Sequence, residues 1–189
     1  MRESLLTAMA VVCAAGLAAA DPALTFENLP AGYLPGDSFS FDVHLTGASN
    51  LATYNVEITL DAAGVAGTDY FFVSGDKAAS QYVFPAGVDE GNYLASIQPP
   101  ADQDRLTLSD FLLSDSVSTA AGVNDRIATV TVATGAALTG PIDLGVAGDT
   151  LEMLDPQDNN IRDFASLADN LPSTRMPVVP EPATLTLLA

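Results

Sequence analysis

Residues 34–61 read LPGDSFSFDVHLTGASNLATYNVEITLD, and this stretch decides the fold. Apolar residues alternate with polar ones from Phe39 to Leu45, and again from Tyr54 to Leu60. Alternation with a period of two is typical of a β-strand that buries one of its faces. The short polar turn Ala48-Ser49-Asn50 lies between the two runs, so the sequence predicts two strands joined as a hairpin.

The rest of the chain continues this β pattern. Short apolar runs are separated by turns rich in glycine, proline and aspartate, such as Pro35-Gly36-Asp37 and Gly140-Pro141. Further strands are predicted at Leu24–Glu27, Tyr70–Val73, Gln81–Phe84, Tyr93–Ile97, Arg105–Leu113, Ile127–Thr134, Ile142–Val146 and Thr150–Leu154. One short helix is predicted at Ile161–Ala168. About nine short strands with frequent turns indicate an all-β fold, an antiparallel β-sandwich.

Composition and charge exclude several classes of function. The chain has 189 residues, a formal net charge of −18 and only six lysines and arginines. Such a negative field repels phosphate backbones and anionic lipid surfaces, so we expect neither nucleic-acid binding nor electrostatic membrane binding. The single cysteine, Cys13, lies in the first 20 residues, so no disulfide is expected in the folded domain.

Residues 1–20 carry the features of a signal peptide. Arg2 supplies a positive charge, and Leu5–Leu17 is an apolar stretch too short for a stable membrane span. Ala18-Ala19-Ala20 provides the small residues that a signal peptidase recognises, and Asp21 is the predicted first residue of the mature protein. The sequence therefore predicts an exported protein with one domain at 21–171.

The C-terminal end carries a second candidate targeting signal. A proline-rich linker is predicted at 172–179, followed by Pro180-Glu181-Pro182 and the apolar run Leu185–Ala189. This end resembles the start of a PEP-CTERM sorting signal. The resemblance implies an exosortase-type partner, a transient membrane anchor made by 180–189 and a location at the cell surface or in the extracellular matrix of a bacterium. A span needs about 20 apolar residues, so the anchor segment looks truncated. The alternative is an extended, proline-stiffened tail.

A second resemblance concerns the domain itself. Leu34-Pro35-Gly36-Asp37 with the following strand, then Leu51-Ala52 with the second strand ending at Asp61, resembles the opening of a cohesin-like domain. The late run Arg126–Val132 also fits that family. The resemblance implies a jelly-roll β-sandwich of about nine strands, related to carbohydrate-binding modules, and it implies a dockerin-like protein partner. No dockerin-contacting residue can be transferred by motif.

Catalysis is not expected. A convergent site needs a nucleophile, a base and an oxyanion-stabilising group together, and no motif supplies them. His44 is the only histidine, and the alternation places it on the polar face of an early strand. We therefore predict that His44 is an ordinary surface residue of that strand and that the protein is not an enzyme.

Two binding sites are candidates, each with a simpler structural alternative. Calcium needs several oxygen ligands from loops, and the segment Asp155–Asp163 offers them at Asp155, Asp158, Asn160 and Asp163. The alternative is a loop stabilised by Asp and Asn side chains. Tyr82 and Tyr93 are predicted near loop edges, where their rings could stack on a sugar. The alternative for both tyrosines is packing within the sandwich.

Together these observations predict an exported, noncatalytic protein without a required cofactor. Its predicted function is that of a structural or adhesive component of the cell envelope or exopolysaccharide matrix, touching the membrane only through its C-terminal tail. Its partner would be a polysaccharide or an envelope protein. The alternatives are a carbohydrate-binding module and a cohesin-type scaffold that binds a protein.

Overall fold

The computed structural model describes residues 22–87, 93–98, 103–159, 161 and 171–179, and within them it is all-β. Its ten strands are β1 (Ala23–Glu27), β2 (Ser38–Thr46), β3 (Thr53–Ala62), β4 (Tyr70–Lys77), β5 (Leu94–Ile97), β6 (Arg105–Phe111), β7 (Arg126–Thr134), β8 (Ile142–Val146), β9 (Glu152–Leu154) and β10 (Thr174–Met176). The predicted helix Ile161–Ala168 lies, apart from its first residue, outside the described residues.

The strands form two antiparallel sheets. The four-stranded sheet has the order β1-β2-β7-β4, and the six-stranded sheet has the order β10-β8-β3-β6-β5, with β9 also pairing with β3. Their inner faces bury the core, in which the apolar residues of β2, β3, β6 and β7 are almost fully inaccessible. The structure confirms the predicted antiparallel sandwich, with ten strands where about nine were expected.

The first turn shows how the sequence sets the strand direction. Asp37 N–H donates to the Leu34 carbonyl at 3.1 Å, which closes a four-residue turn before β2. Pro35 and Gly36 occupy its two central positions, and Gly36 has a φ of 90°. A type II turn favours proline first and requires a positive φ next, so glycine is the residue that fits there without strain.

The predicted hairpin between the first two long strands is wrong. β2 pairs with β1 and β7, whereas β3 pairs with β6, β8 and β9. The chain between them crosses from one sheet to the other, and Leu51 exchanges backbone hydrogen bonds with Val117 during that crossing. Both strands bury one face in the same core, and the alternating pattern does not show whether they do so from one sheet or from two.

Two further sequence predictions are corrected. Gln81–Phe84 is not a strand, because only Tyr82 forms an isolated bridge, to Arg126. The predicted linker 172–179 contains β10, which pairs with β8, and Val178 bridges to Tyr33. The end of that segment is therefore part of the sandwich, because its backbone completes the sheet edge beside β8.

Candidate binding face

The outer face of the six-stranded sheet, here called the six-stranded face, carries several small polar side chains. Thr107 and Ser109 of β6 lie beside Glu57 and Asn55 of β3 in the strand register, and all four side chains point away from the core. Thr107, Ser109 and Asn55 stay partly accessible. Such a surface offers hydroxyl groups to a partner, whereas the Asn55 amide already donates to the Thr150 carbonyl at 3.1 Å.

Two ion pairs lie on this face. Arg105 donates to Glu57 Oε1 at 2.7 Å, with the Glu57 side chain 7% and the Arg105 side chain 48% exposed. Arg175 and Asp143 approach to 3.8 Å on the β10–β8 pair, and both are at least half exposed. The first pair fixes a central charge in place, whereas the second is a solvated surface contact.

Exposed apolar side chains border the same face. Leu94 of β5 and Phe111 of β6 are 57% and 42% exposed, and Leu113, just beyond β6, is 64% exposed. Leu94 pairs with Ser109 and Phe111 with Thr53, so these two apolar residues share the outer face with the small polar ones. Apolar side chains next to unoccupied polar groups are typical of a surface that contacts another molecule.

The outer face of the four-stranded sheet, the four-stranded face, has a different character. Asp42 of β2 accepts hydrogen bonds from Asn28 Nδ2 at 2.6 Å and Thr129 Oγ1 at 2.7 Å, and it lies 3.3 Å from the Arg126 guanidinium. Only 8% of Asp42 is exposed. Burial by itself would raise the pKa of Asp42, but these bonds and the nearby positive charge outweigh it and hold that pKa below its ordinary value.

The prediction that His44 is a surface residue is wrong. His44 is buried, because the segment before β7 lies against the end of β2, where Leu45 N–H donates to the Asp125 carbonyl at 2.6 Å. Its Nδ1 is 3.5 Å from Asp125 Oδ2 and its Nε2 is 3.8 Å from Glu27 Oε2. Within the described residues neither ring nitrogen has a hydrogen-bond partner.

The prediction of exposed aromatic rings fails at Tyr82. Its side chain is buried, its hydroxyl donates to Asp110 Oδ2 at 2.6 Å, and the Lys77 ammonium lies 4.3 Å from its ring centre. Tyr93 is half-buried, its ring edge meets Tyr82, and its hydroxyl donates to the Gly75 carbonyl at 2.8 Å. Both rings pack against the core of the sandwich. Their burial raises the pKa of both hydroxyls. Sugar binding itself stays a prediction.

Tyr82 belongs to a buried series of hydrogen-bonded polar side chains that was not predicted from the sequence. Tyr54 and Tyr82 hydroxyls are 2.7 Å apart, and because Tyr82 gives its only proton to Asp110, Tyr54 donates to Tyr82. Asp110 also accepts from Phe111 N–H at 2.8 Å. One feature of the sequence could have predicted this buried chain. Asp110 follows Leu106 and Leu108 in the alternation of β6, which places its carboxylate at a core position.

The predicted calcium loop is held together by its own hydrogen bonds. Asp155 Oδ1 accepts from Gln157 N–H at 2.8 Å and from Asn159 N–H at 2.9 Å, which lower the pKa of Asp155 together with the Asn159 side chain. Asp158 takes a left-handed φ of 59° in the same turn. Asn160 and Asp163 lie outside the described residues. Among the residues that are described, no three acidic, histidine or cysteine side chains group as metal ligands.

The predicted sorting motif Pro180, Glu181 and Pro182 also lies outside the described residues, as does the predicted signal peptide. The chain approaches it beside Tyr33, which donates its N–H to the Pro177 carbonyl and accepts from Val179 N–H. The Tyr33 hydroxyl bonds to the Gly140 carbonyl, so this exit lies at the end of the sandwich near β8. Over the described part of the chain, no helix has the length and apolarity to cross a bilayer.

Comparison with known proteins identifies the fold alone. No protein-family model and no curated protein sequence matches the chain. Solved cohesin modules do match in structure. The sixth cohesin of scaffoldin B from Acetivibrio cellulolyticus, solved in complex with a Cel5 dockerin, has a TM-score of 0.57 and 16% identity, covering 85% of this chain and 100% of that one.

Two other cohesins give the same result. CaCohA2 from Clostridium acetobutylicum, solved in solution, has a TM-score of 0.60 and 14% identity, covering 85% of this chain and 92% of its own. The Coh-OlpA-Doc918 complex from Clostridium thermocellum, described as a type I cohesin–dockerin complex, gives 0.56 and 10%, covering 85% and 100%. The domain is therefore a cohesin-like β-sandwich.

Proposed function

We propose that this chain is an exported, noncatalytic module that binds a protein partner through its six-stranded face. The observation that carries the proposal is the contrast between the two outer faces. Polar side chains around Asp42 on the four-stranded face already bond to each other, whereas Thr107 and Ser109 on the six-stranded face stay accessible beside Leu94 and Phe111. A partner would gain hydrogen bonds and apolar burial on the second face.

The fold likeness supports a protein rather than a small molecule as the partner. Several of the similar cohesins were solved in complex with dockerins, so this sandwich is able to present a protein-binding surface. Accessible polar groups with an apolar border suit protein contacts. The proposed partner is an envelope or matrix protein of the same bacterium.

The predicted targeting signals give this binding its proposed cellular context. Residues 1–20 would direct export, and Pro180-Glu181-Pro182 would present the tail to an exosortase-type enzyme, so that the module acts at the cell surface or in an exopolysaccharide matrix. Replacing all three motif residues by alanine should move the protein from the cell-surface fraction to the medium or the membrane. An unchanged distribution would show that the tail is an extension of the chain without a sorting role.

Site-specific photo-cross-linking tests the binding face. A photoreactive phenylalanine analogue is placed at Thr107, in the middle of the six-stranded face, or at Thr131, in the middle of the four-stranded face. Both positions are half-exposed, so the pair is matched. We expect one defined protein adduct from Thr107 and none from Thr131, and the identified partner should bind the purified protein.

Two results would contradict the proposal. Equal adducts from both positions would show that the six-stranded face is not selected. Saturable binding to a glycan array, without any protein adduct at Thr107, would favour the carbohydrate-binding module instead.

A further inference from the structure

The six-stranded face ends in a groove that none of the predicted sites includes. A groove of about 450 Å³ lies between the segment after β6 and the turn after β9, with the first residues of β3 as its floor. Phe111, Leu113 and Leu154 supply apolar walls, and Asp115, Asp155 and Asp158 stand at its rim. None of the described residues that line it is basic.

From this arrangement we propose that the groove holds an apolar side chain of the protein partner, flanked in the partner's sequence by lysine or arginine. The inference rests on the proposed function and specifies the chemistry of the partner. Phe111 and Leu113 are 42% and 64% exposed, so an inserted apolar side chain would remove their surface from water.

Charge complementarity selects a basic partner. The net charge of the chain is −18, and each described cation already has a partner within the chain. Arg105, Arg126 and Arg175 face Glu57, Asp42 and Asp143, and Lys77 lies over Tyr82. The rim carboxylates have no such cation among the described residues of the groove, so lysine or arginine from a partner would be attracted there.

The turn that carries two of these carboxylates has a defined shape. Asp158 N–H donates to the Asp155 carbonyl at 3.0 Å, and Asp155 N–H donates to the Asn159 carbonyl at 2.9 Å. The Asp155 side chain bonds the backbone N–H groups of the same turn. A preformed rim costs a partner less ordering entropy than a loop that must fold on binding.

The groove also lies at the end of the sandwich opposite the chain exit. Thr53, at the groove, begins β3, and Ala62, at the other end of β3, pairs with Ile142 of β8 near the exit beside Tyr33. Ten residues of strand separate these ends by about 30 Å. A tail that is attached to a surface would leave the groove facing away from that surface.

Selection from a displayed random nine-residue peptide library against the full chain tests the inference. We expect binders that carry leucine, isoleucine, phenylalanine or methionine next to lysine or arginine. The double substitution Phe111→Ser and Leu113→Ser should weaken their binding by about tenfold or more, the scale of an interface hot spot. Val73→Ser with Val123→Ser is the matched control, since both valines are exposed on other surfaces and should leave binding unchanged.

A second variant tests the charges without disturbing the turn. Asp115→Asn with Asp158→Asn keeps the side-chain shapes, and asparagine tolerates the left-handed φ of position 158. Binding should weaken by about threefold at low salt and lose most of its salt dependence.

Three outcomes would overturn the inference: no selected peptides, peptides without basic residues, or binding that the Phe111 and Leu113 substitutions leave unchanged. If the Thr107 cross-link persists in any of these cases, the proposed function stands and only the groove is excluded. If the cross-link is also lost, the protein-binding function fails with it.

Discussion

The two outer faces of the sandwich are built on the same alternation of apolar and polar residues, yet their polar side chains reach different environments. On the four-stranded face, Asp42 is buried. It accepts hydrogen bonds from Asn28 and Thr129 and forms a salt bridge with Arg126. On the six-stranded face Thr107 and Ser109 remain accessible. The difference teaches that a polar residue on an outer face contributes to stability when neighbouring segments cover it and is available to a partner when they do not.

The largest expected effect on stability comes from Asp42→Ala. The change leaves Arg126 and Asn28 without their buried acceptor, and we expect the free energy of unfolding to fall by about 3 kcal/mol. Asp143→Ala is the matched control on the other face, where the exposed pair with Arg175 should contribute less than about 0.5 kcal/mol. Urea denaturation of both variants measures the two values, and equal losses would remove the proposed contrast between the faces.

A smaller effect is expected inside the sandwich from Tyr82→Phe. The substitution keeps the ring but removes the hydroxyl that links Tyr54 to Asp110, which leaves a buried carboxyl with one bond fewer. We expect a loss of about 1–2 kcal/mol in the free energy of unfolding. Tyr93→Phe, which removes a bond to the Gly75 carbonyl at a half-buried site, is the control and should lose less. A loss at position 93 that equals or exceeds that at position 82 would contradict the buried chain.

The pH dependence of stability gives the next test of the four-stranded face. The pKa of Asp42 is lowered in the folded state, so its contribution is fully present above the unfolded pKa near 4 and is lost as the pH falls through the lower folded pKa. The stability difference between the wild type and Asp42→Asn should therefore be constant from pH 7 to 5 and shrink toward pH 2–3. Urea midpoints of both proteins measure it, and a constant difference down to that pH would exclude the proposed ionisation.

The smallest effect on stability is expected from Thr107→Lys on the six-stranded face. A half-exposed position without a bonded neighbour accepts a lysine with a change within about 0.5 kcal/mol. Partner binding should nevertheless be lost, because the long side chain blocks the centre of the face. Thr131→Lys is the control on the other face and should leave partner binding unchanged. Retained binding with lysine at position 107 would move the binding surface elsewhere.

Much of the fold was predictable because the period-two pattern follows directly from strand geometry. The residues of β2, β3 and β7 alternate cleanly, and their apolar members form the core as expected. Pairing was not predictable in the same way. The wrong hairpin between β2 and β3 shows that adjacent strands in the sequence can belong to different sheets when the turn between them does not fix the register.

The candidate site was less predictable, since exposure depends on distant segments. His44 and Tyr82 are buried by residues that lie far away in the sequence, namely the segment before β7 for His44 and the side chain of Asp110 for Tyr82. The groove beside Phe111 joins the ends of β6 and β9, which are about 40 residues apart in the sequence. No local motif marks such a surface.

The sequence by itself determined the fold class, the absence of a cysteine from the folded domain and the strongly negative charge, because these follow from composition and from the local geometry of a strand. Tertiary structure decided which strands pair, which polar residues are buried and where an accessible face remains. The physical reason is that burial and hydrogen bonding are properties of neighbours in space, and the sandwich brings those neighbours together from distant parts of the chain.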